Sequence, residues 1–189
     1  MIIKFLCSDI EPLGIEKGQE IIHDRFKMEL AKADEIKISV AYCSEDSLWE
    51  LERLVDLYEI KKVNVVLGMY RSSNFPASRW TTAKKINRKW KKAGMGEIKM
   101  TKKLWYHGKK YCFLKDNQIF SAIVGSANLS FLDSRNQSQY EEGVLVEEPE
   151  ALQVILNQVN KLLSKDVSEN VSKIMRKSSS RGKKSKKKK

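Results

Sequence analysis

Residues 106–141 read YHGKKYCFLKDNQIFSAIVGSANLSFLDSRNQSQYE, and the rest of the chain is organised around this stretch. It contains His107, one of only two histidines in the sequence, two residues before Lys109. Gly-Ser-Ala-Asn follows at 125–128, and an acidic pair follows at 141–142. Imidazole, ammonium, hydroxyl and carboxamide groups can donate to the oxygens of a phosphate and attack its phosphorus. The stretch is therefore a candidate site for phosphoryl chemistry.

A short turn divides this stretch into two apolar strands. The Asp-Asn dipeptide at 116–117 forms its centre, and both residue types tolerate the positive φ that a tight hairpin turn requires. Counting outward from the turn places His107 opposite Ser126. Side chains two apart on a strand share a face, so Lys109 and Asn128 are expected to join them. The prediction is one polar cluster, which a register slip of one residue would scatter.

The elements around the hairpin alternate between strand and helix. Apolar periodicity predicts four strands with three helices between them in the first hundred residues, including a helix over 19–33. A strand over 105–114 opens a later run of strands, and Pro149 opens a last amphipathic helix. This order predicts an α/β fold with a mixed, mostly parallel β-sheet and helices on both faces. We expect one domain over 1–166 and a basic, disordered Lys/Arg/Ser tail over 167–189.

Positive charge is concentrated at the carboxyl end of the chain. The 189 residues have a formal net charge of +12, and nine positive residues without any acid fall within 176–189. The rest of the chain is therefore only mildly basic. This distribution favours a polyanionic partner, to which the tail would add affinity without sequence readout.

The cysteines and the apolar runs indicate where the protein acts. Cys7, Cys43 and Cys112 are widely spaced and form no CxxC pair, which is typical of reduced thiols and not of a disulfide framework or a zinc site. No apolar run approaches the roughly 20 residues that a membrane-spanning helix needs. We expect a cytoplasmic protein that does not enter a membrane.

The motifs at 107–109 and 125–128 resemble the HxK and GSxN signature of the phospholipase D superfamily, carried here once. The superfamily's usual aspartate, five residues after the lysine, is Leu114 here, and the interval to the glycine is longer. In both respects the sequence is similar to the NgoFVII-type restriction endonucleases. These enzymes are metal-independent, and in them a glutamate follows the asparagine. Glu141 fits that place, with Glu142 as the alternative.

The resemblance implies a metal-independent endonuclease without a cofactor. His107 would attack phosphorus to form a covalent phosphohistidine, which water then hydrolyses. A second histidine must protonate the leaving oxygen, and His23 lacks the motif. The resemblance therefore implies a homodimer in which two copies of His107 share one site. Glu141 would hold the imidazole in the required tautomer. The groups that would bind the phosphoryl oxygens are Lys109, Asn128 and Ser126.

Basic residues outside the motifs indicate the class of phosphodiester. The third predicted helix has a basic stripe near Trp80 and Trp90, and such a stripe can follow a nucleic-acid backbone. A solvated helix face over buried tryptophans would show the same pattern. DNA, with RNA as the alternative, is favoured over lipid because no apolar lipid-facing surface is visible. The residues predicted to bind nucleic acid are Arg71, Lys84, Lys85, Arg88, Lys89 and Lys92.

Two other functions stay open. A non-catalytic nucleic-acid-binding module would keep its effect after replacement of His107 or Lys109. A lipid or small-molecule phosphodiesterase would turn over such esters without binding nucleic acid.

Restriction enzymes that the chain resembles usually carry a recognition domain after the catalytic one. We therefore expect a truncated catalytic module, a nuclease with little sequence preference, or one whose recognition comes from a partner.

Overall fold

Nine strands and four helices make up the part of the chain that the computed structural model describes, residues 4–70, 75–132 and 139–174. The strands are β1 (Lys4–Cys7), β2 (Gln19–Ile21), β3 (Glu35–Val40), β4 (Lys62–Leu67), β5 (Gly96–Thr101), β6 (Lys110–Lys115), β7 (Gln118–Gly125), β8 (Glu142–Val146) and β9 (Ser168–Asn170). The helices are α1 (Ile22–Leu30), α2 (Glu45–Leu57), α3 (Ala77–Lys92) and α4 (Pro149–Leu163). Short 3-10 turns lie at Leu129–Leu132 and Val171–Lys173.

These strands form one sheet in the order β2-β1-β8-β7-β6-β3-β4-β5-β9. The pairs β1–β2, β3–β4 and β4–β5 are parallel, and the other five pairs are antiparallel. The predicted mixed α/β class is confirmed, while parallel pairing is confined to these three pairs. A connection as short as the one between β6 and β7 can join only antiparallel strands, so the second half of the chain departs from the alternation of the first.

Each face of the sheet buries its own apolar cluster. On one face, the core contains Phe26 of α1, Trp90 of α3 and Tyr111 of β6, each at most 1% exposed. On the other face, Val159 of α4 packs in a smaller cluster with Cys112 of β6. Neighbouring residues of β6 enter opposite clusters because side chains alternate along a strand. Within the described ranges, no helix combines the length and apolar character needed to cross a bilayer.

The first predicted helix begins later than its apolar pattern suggests. Residues Gln19–Ile21 are extended and pair in parallel with β1, so α1 begins only at Ile22. Backbone pairing with a neighbouring strand overrides the local helical spacing here. Helix α2 begins at Glu45, where the Ser44 side chain caps it by accepting from the backbone N–H of Ser47 at 3.0 Å.

The fold continues past the predicted boundary at residue 166. Strand β9 pairs antiparallel with β5 and forms that edge of the sheet, and Val171 is fully buried. The Asn170 amide exchanges hydrogen bonds with the amide of Asn87 on α3. Apolar periodicity misses this segment because polar contacts hold most of it. The remainder of the predicted tail, 175–189, lies outside the described residues.

Candidate active site

The candidate site lies at one edge of the sheet, where several strands start or end. Strands β3 and β4 end there, and antiparallel β6 begins there with Lys110 facing Ser39. Strand β7 ends beside the start of β8, where Gly125 faces Gly143. Loops at such an edge bring together residues that are distant in sequence. The five residues predicted as catalytic lie in or beside these loops: His107, Lys109, Ser126, Asn128 and Glu141.

The β6–β7 hairpin has the predicted turn but not the predicted register throughout. The turn residues at 116–117 take φ values of 51° and 63°, which confirms the expected turn chemistry. The two pairs nearest the turn also follow the prediction. A bulge at 113–114 then shifts the register, so that Lys110 faces Val124. A bulge adds one residue to one strand, and every later pair moves with it.

The predicted facing of His107 and Ser126 is therefore wrong. The strand predicted over 105–114 is also too long, because β6 begins only at Lys110. His107 lies in the preceding loop. That loop contacts the residue that follows β4 instead of pairing with β7. The backbone N–H of Tyr106 donates to the Gly68 carbonyl at 3.3 Å.

His107 and Lys109 nevertheless contact each other. Nζ of Lys109 lies 2.9 Å from Nδ1 of His107 and donates to the His107 carbonyl oxygen at 2.7 Å. The imidazole is exposed, whereas Lys109 is only 7% exposed. Because Lys109 engages Nδ1, an attack on a substrate would have to come from Nε2. The pair presents a nucleophile or acid beside a buried cation.

Burial lowers the pKa of Lys109, and the nearby Glu141 carboxylate offsets part of this lowering. An ammonium in this setting releases its proton at a lower pH than an exposed lysine does. A bound phosphate would oppose the shift, because its negative charge favours the protonated amine. An anionic ligand would therefore stabilise the charge of this cation.

Ser126 and Glu141 form a second contact of the site. Oγ of Ser126 donates to Oε2 of Glu141 at 2.5 Å and accepts from the backbone N–H of Glu142 at 2.9 Å. Ser8 holds the Glu141 backbone through hydrogen bonds in both directions. Among the contacts of the described residues, the Glu141 carboxylate bonds to Ser126 and not to His107. Its predicted role in orienting the imidazole therefore stays a prediction.

Tyr42, two residues after the end of β3, links Asn128 to the histidine. Its backbone N–H donates to Oδ1 of Asn128 at 3.0 Å, and its ring meets the His107 ring edge-on at a centroid distance of 6.4 Å. This contact leaves the Asn128 NH₂ group to donate to a substrate. The Tyr111 hydroxyl donates to the Ala127 carbonyl at 2.9 Å. Both tyrosines were missed in the sequence analysis. Only Tyr42 carries a usable signal, as a polar aromatic residue that follows a buried strand, because Tyr111 lies within β6.

Gly125 permits the close approach of β7 and β8 beside the site. A Cβ there would lie 2.1 Å from the Glu142 carbonyl oxygen and 2.5 Å from the Gly143 Cα. We expect Gly125→Ala to lower the free energy of unfolding by about 1–3 kcal/mol, measured by denaturant titration. Gly143→Ala is the matched control and should cost less, because its nearest neighbour would be the Val124 oxygen at 3.1 Å. Equal losses in the two variants would contradict this assignment.

An apolar groove of about 480 Å³ borders the site on the side of Ser126. Strands β1, β2, β7 and β8 form it, and its lining includes Phe5, Val124 and Val144. Phe5 is 56% exposed, and the two valines are half-buried. An incompletely covered apolar surface therefore adjoins the polar cluster.

The basic residues of α3 that were predicted to bind nucleic acid are not gathered at this edge. Helix α3 runs from the site end of β4 to the opposite end of β5, where Gly96 faces Val63. Arg88 and Lys92 in its carboxyl-terminal half are exposed but lie toward the far end of the sheet. Arg71 lies outside the described residues.

Neighbouring side chains occupy much of the basic stripe. Lys89 pairs with two acids of α2, Glu52 and Asp56, the second at 2.6 Å. These pairs compensate its charge. Trp90 is buried and Trp80 packs partly into the core, which fits the solvated-face alternative. A nucleic-acid contact by α3 stays a prediction. Two lysines lie over tryptophan rings: Lys84 over Trp80 at 5.6 Å and Lys85 over Trp49 at 4.8 Å.

The described residues contain no group of three or more His, Cys, Asp or Glu side chains arranged to hold a metal ion. Cys7, Cys43 and Cys112 are free and buried. Burial raises the pKa of Cys43 and of Cys112 to about 12, so both thiols stay protonated at neutral pH. The groups of this site that suit chemistry at phosphorus are the imidazole, the ammonium, the carboxylate, the hydroxyl and the amide.

Comparison with known proteins decides the family. The family described as the NgoFVII restriction endonuclease N-terminal PLD domain matches residues 19–176. The chain belongs to this family. It is a nuclease domain of the phospholipase D (PLD) superfamily and an enzyme of the phosphodiesterase/endonuclease class, which confirms the resemblance drawn from the HxK and GSxN motifs. No curated protein matches the sequence.

Two solved structures share the fold of this NgoFVII-type PLD domain. The phospholipase D family member Nuc from Salmonella typhimurium has a TM-score of 0.59 and 13% identity, covering 89% of this chain and 96% of Nuc. NucT from Helicobacter pylori has a TM-score of 0.56 and 14% identity, covering 89% of this chain and 99% of NucT. At identities this low, the structural likeness shows a common fold and nothing finer. That fold is the predicted PLD-like one.

Proposed function

We propose that this PLD domain hydrolyses DNA phosphodiester bonds, without a metal ion, through a covalent phosphohistidine on His107. The contact between Nζ of Lys109 and Nδ1 of His107, at an edge that also holds Ser126 and Glu141, carries the proposal. An exposed imidazole can attack phosphorus, and a buried cation can stabilise the charge on the phosphoryl oxygens. The net charge of +12 supports a polyanionic substrate, with DNA preferred and RNA as the alternative.

The reaction has two displacements at phosphorus. First, Nε2 of His107 attacks, a P–N bond forms, and the bond from phosphorus to the leaving oxygen breaks. The leaving oxygen takes a proton from a second histidine. Water then attacks phosphorus and gives a proton to that second histidine, and the P–N bond breaks. Both histidines return to their starting states, and no other reactant is consumed.

Attack by Nε2 requires the imidazole proton to lie on Nδ1. We expect the Lys109 ammonium to turn from Nδ1 to the phosphoryl oxygens when DNA binds. The Glu141 carboxylate would then accept a hydrogen bond from Nδ1–H of His107, instead of the one that it accepts from the Ser126 hydroxyl. Once released, that hydroxyl can donate to the phosphate beside the amide of Asn128.

The second histidine is expected to come from a second copy of the chain. His23 lies on α1, its Nδ1 is 3.6 Å from Oδ1 of Asp24, and burial lowers its pKa. Its contacts are with its own surroundings and not with the site. A two-fold axis beside the exposed His107 would bring two identical imidazoles together. The groove that includes Phe5 and borders Ser126 offers apolar surface for that contact.

Cleavage of plasmid DNA in excess EDTA tests this function. Because histidine and lysine supply the nucleophile and the positive charge, we expect nicking at the same rate with and without chelator. A rate abolished by EDTA and restored by Mg²⁺ would sink the mechanism. His107→Ala, prepared in the same way, should cleave no DNA in either condition.

The cytoplasm is the proposed place of action. Three free and buried cysteines suit a reducing compartment, where disulfides are rare. The substrate proposed for the site is also found there.

A further inference from the structure

The loop before His107 exposes a tryptophan at the edge of the candidate site. Trp105 is 72% exposed, the highest value among the large apolar side chains of the described residues. Its neighbours Lys103 and Leu104 are exposed as well. An indole has a large apolar face, and leaving it in water forgoes the stabilisation that burial against a partner would bring. Trp105 is therefore a candidate contact for a ligand.

The loop is anchored on both sides of Trp105. On one side, the backbone N–H of Lys102 donates to the Val167 carbonyl at 2.8 Å. On the other side, the Tyr106 hydroxyl shares a 3.0 Å hydrogen bond with Ser39. A Cβ on Gly68 would lie 2.0 Å from the Tyr106 carbonyl oxygen, which shows how tightly the loop packs on the end of β4. The backbone on both sides of Trp105 is held in place before any ligand binds, so less backbone freedom is lost on binding.

The surroundings of Trp105 are positive and close to the proposed nucleophile. Residues 102–109 contain three lysines and no acidic residue. Lys103 is exposed beside Trp105. Two residues of chain span at most about 7 Å. The indole is therefore within reach of the base of a nucleotide whose phosphate lies at His107.

We infer that Trp105 stacks on an unstacked base of the substrate strand, next to the scissile phosphate. This inference rests on the proposed function and specifies its substrate: a strand whose base has left the duplex stack, as in single-stranded DNA. Sites for single strands combine positive charge with aromatic platforms. Stacking of this kind tolerates any base, because every base has a π face. It gives the domain affinity for a strand without reading its sequence.

Binding measured with His107→Ala separates stacking from cleavage. The probes are a labelled single-stranded oligodeoxynucleotide and a strand of equal length built of abasic nucleotides. Adding Trp105→Ala should weaken binding of the first probe by about 5- to 150-fold and leave the second within about 2-fold. Trp105→Phe should keep most of the affinity. Leu104→Ala is the matched control, since it removes a neighbouring exposed apolar side chain that has no π face.

Each outcome decides the matter. Equal weakening of both probes, or no weakening of either, overturns the stacking role. Weakening of both probes with a change in oligomeric state would assign Trp105 to a contact between copies instead. If the unmutated protein cleaves DNA and the double variant binds the first probe as tightly as His107→Ala does, only the stacking role fails. If the parent protein cleaves no DNA, the proposed function fails, while the comparison of the two probes still reports on Trp105.

Discussion

Replacing His107 by alanine is expected to reduce the rate of DNA cleavage by at least about 10⁴-fold, because the nucleophile of the covalent step is lost. The imidazole is exposed, so the free energy of unfolding should change by no more than about 0.5 kcal/mol. Initial rates on plasmid DNA in EDTA and a denaturant titration measure the two quantities. His23→Ala is the matched control and should retain nearly full activity. A His107→Ala variant that still cleaves would exclude the phosphohistidine.

The same variant tests whether two copies share one site. In an equal mixture of parent and His107→Ala chains that exchange freely, about a quarter of two-fold dimers contain two intact histidines. Activity should then fall to roughly a quarter of that of the parent at equal total concentration. Chains that act independently would keep roughly a half. A result near a half would therefore contradict the composite site.

Replacing Lys109 by methionine is expected to lower kcat/KM by about 10²- to 10³-fold, the usual effect of losing one preorganised group that stabilises charge in the transition state. Methionine keeps an unbranched chain and removes the ammonium. Lys110→Met is the matched control, because the Lys110 amine bonds to Gln158 at 2.7 Å on the α4 side. Similar losses in both variants would show that general positive charge, and not the contact with His107, is what matters.

Lys109 also predicts a pH dependence with a definite sign. Burial lowers its pKa, so its ammonium is lost at a lower pH than that of an exposed lysine as the solution becomes alkaline. Substrate binding should weaken as that charge disappears. In Lys109→Arg the guanidinium keeps its charge, so the alkaline decline should move to higher pH. An unchanged decline would assign it to another group.

The turn of the central hairpin could be predicted and its register could not. Asp116 and Asn117 favour positive φ through their own side chains, which is a local property. The bulge beside Phe113 depends on how β7 packs between β6 and β8. Neither the composition nor the apolar content of the hairpin indicates where it lies. Counting from a turn assumes an unbroken ladder. That assumption placed His107 opposite Ser126.

The basic helix shows a similar limit. The density of lysine and arginine on α3 is visible in the sequence, but the acids that face Lys89 come from α2. Likewise, the polar segment around Asn170 looks like the start of a tail until its contacts with α3 are seen. Local composition reports charge and apolar content. It does not report which distant groups compensate them.

By itself, the sequence determined the α/β class, the HxK and GSxN motifs, and hence the groups that can act on phosphorus. Only the tertiary structure decided their partners. It joins Lys109 to His107 and Glu141 to Ser126, and it leaves Trp105 exposed on an anchored loop. The physical reason is that residue types follow from the chain alone, whereas hydrogen bonds and burial depend on distances between residues brought together by different strands. The stretch over 106–141 contains the residue types that can act on phosphorus, and the edge of the sheet brings them together.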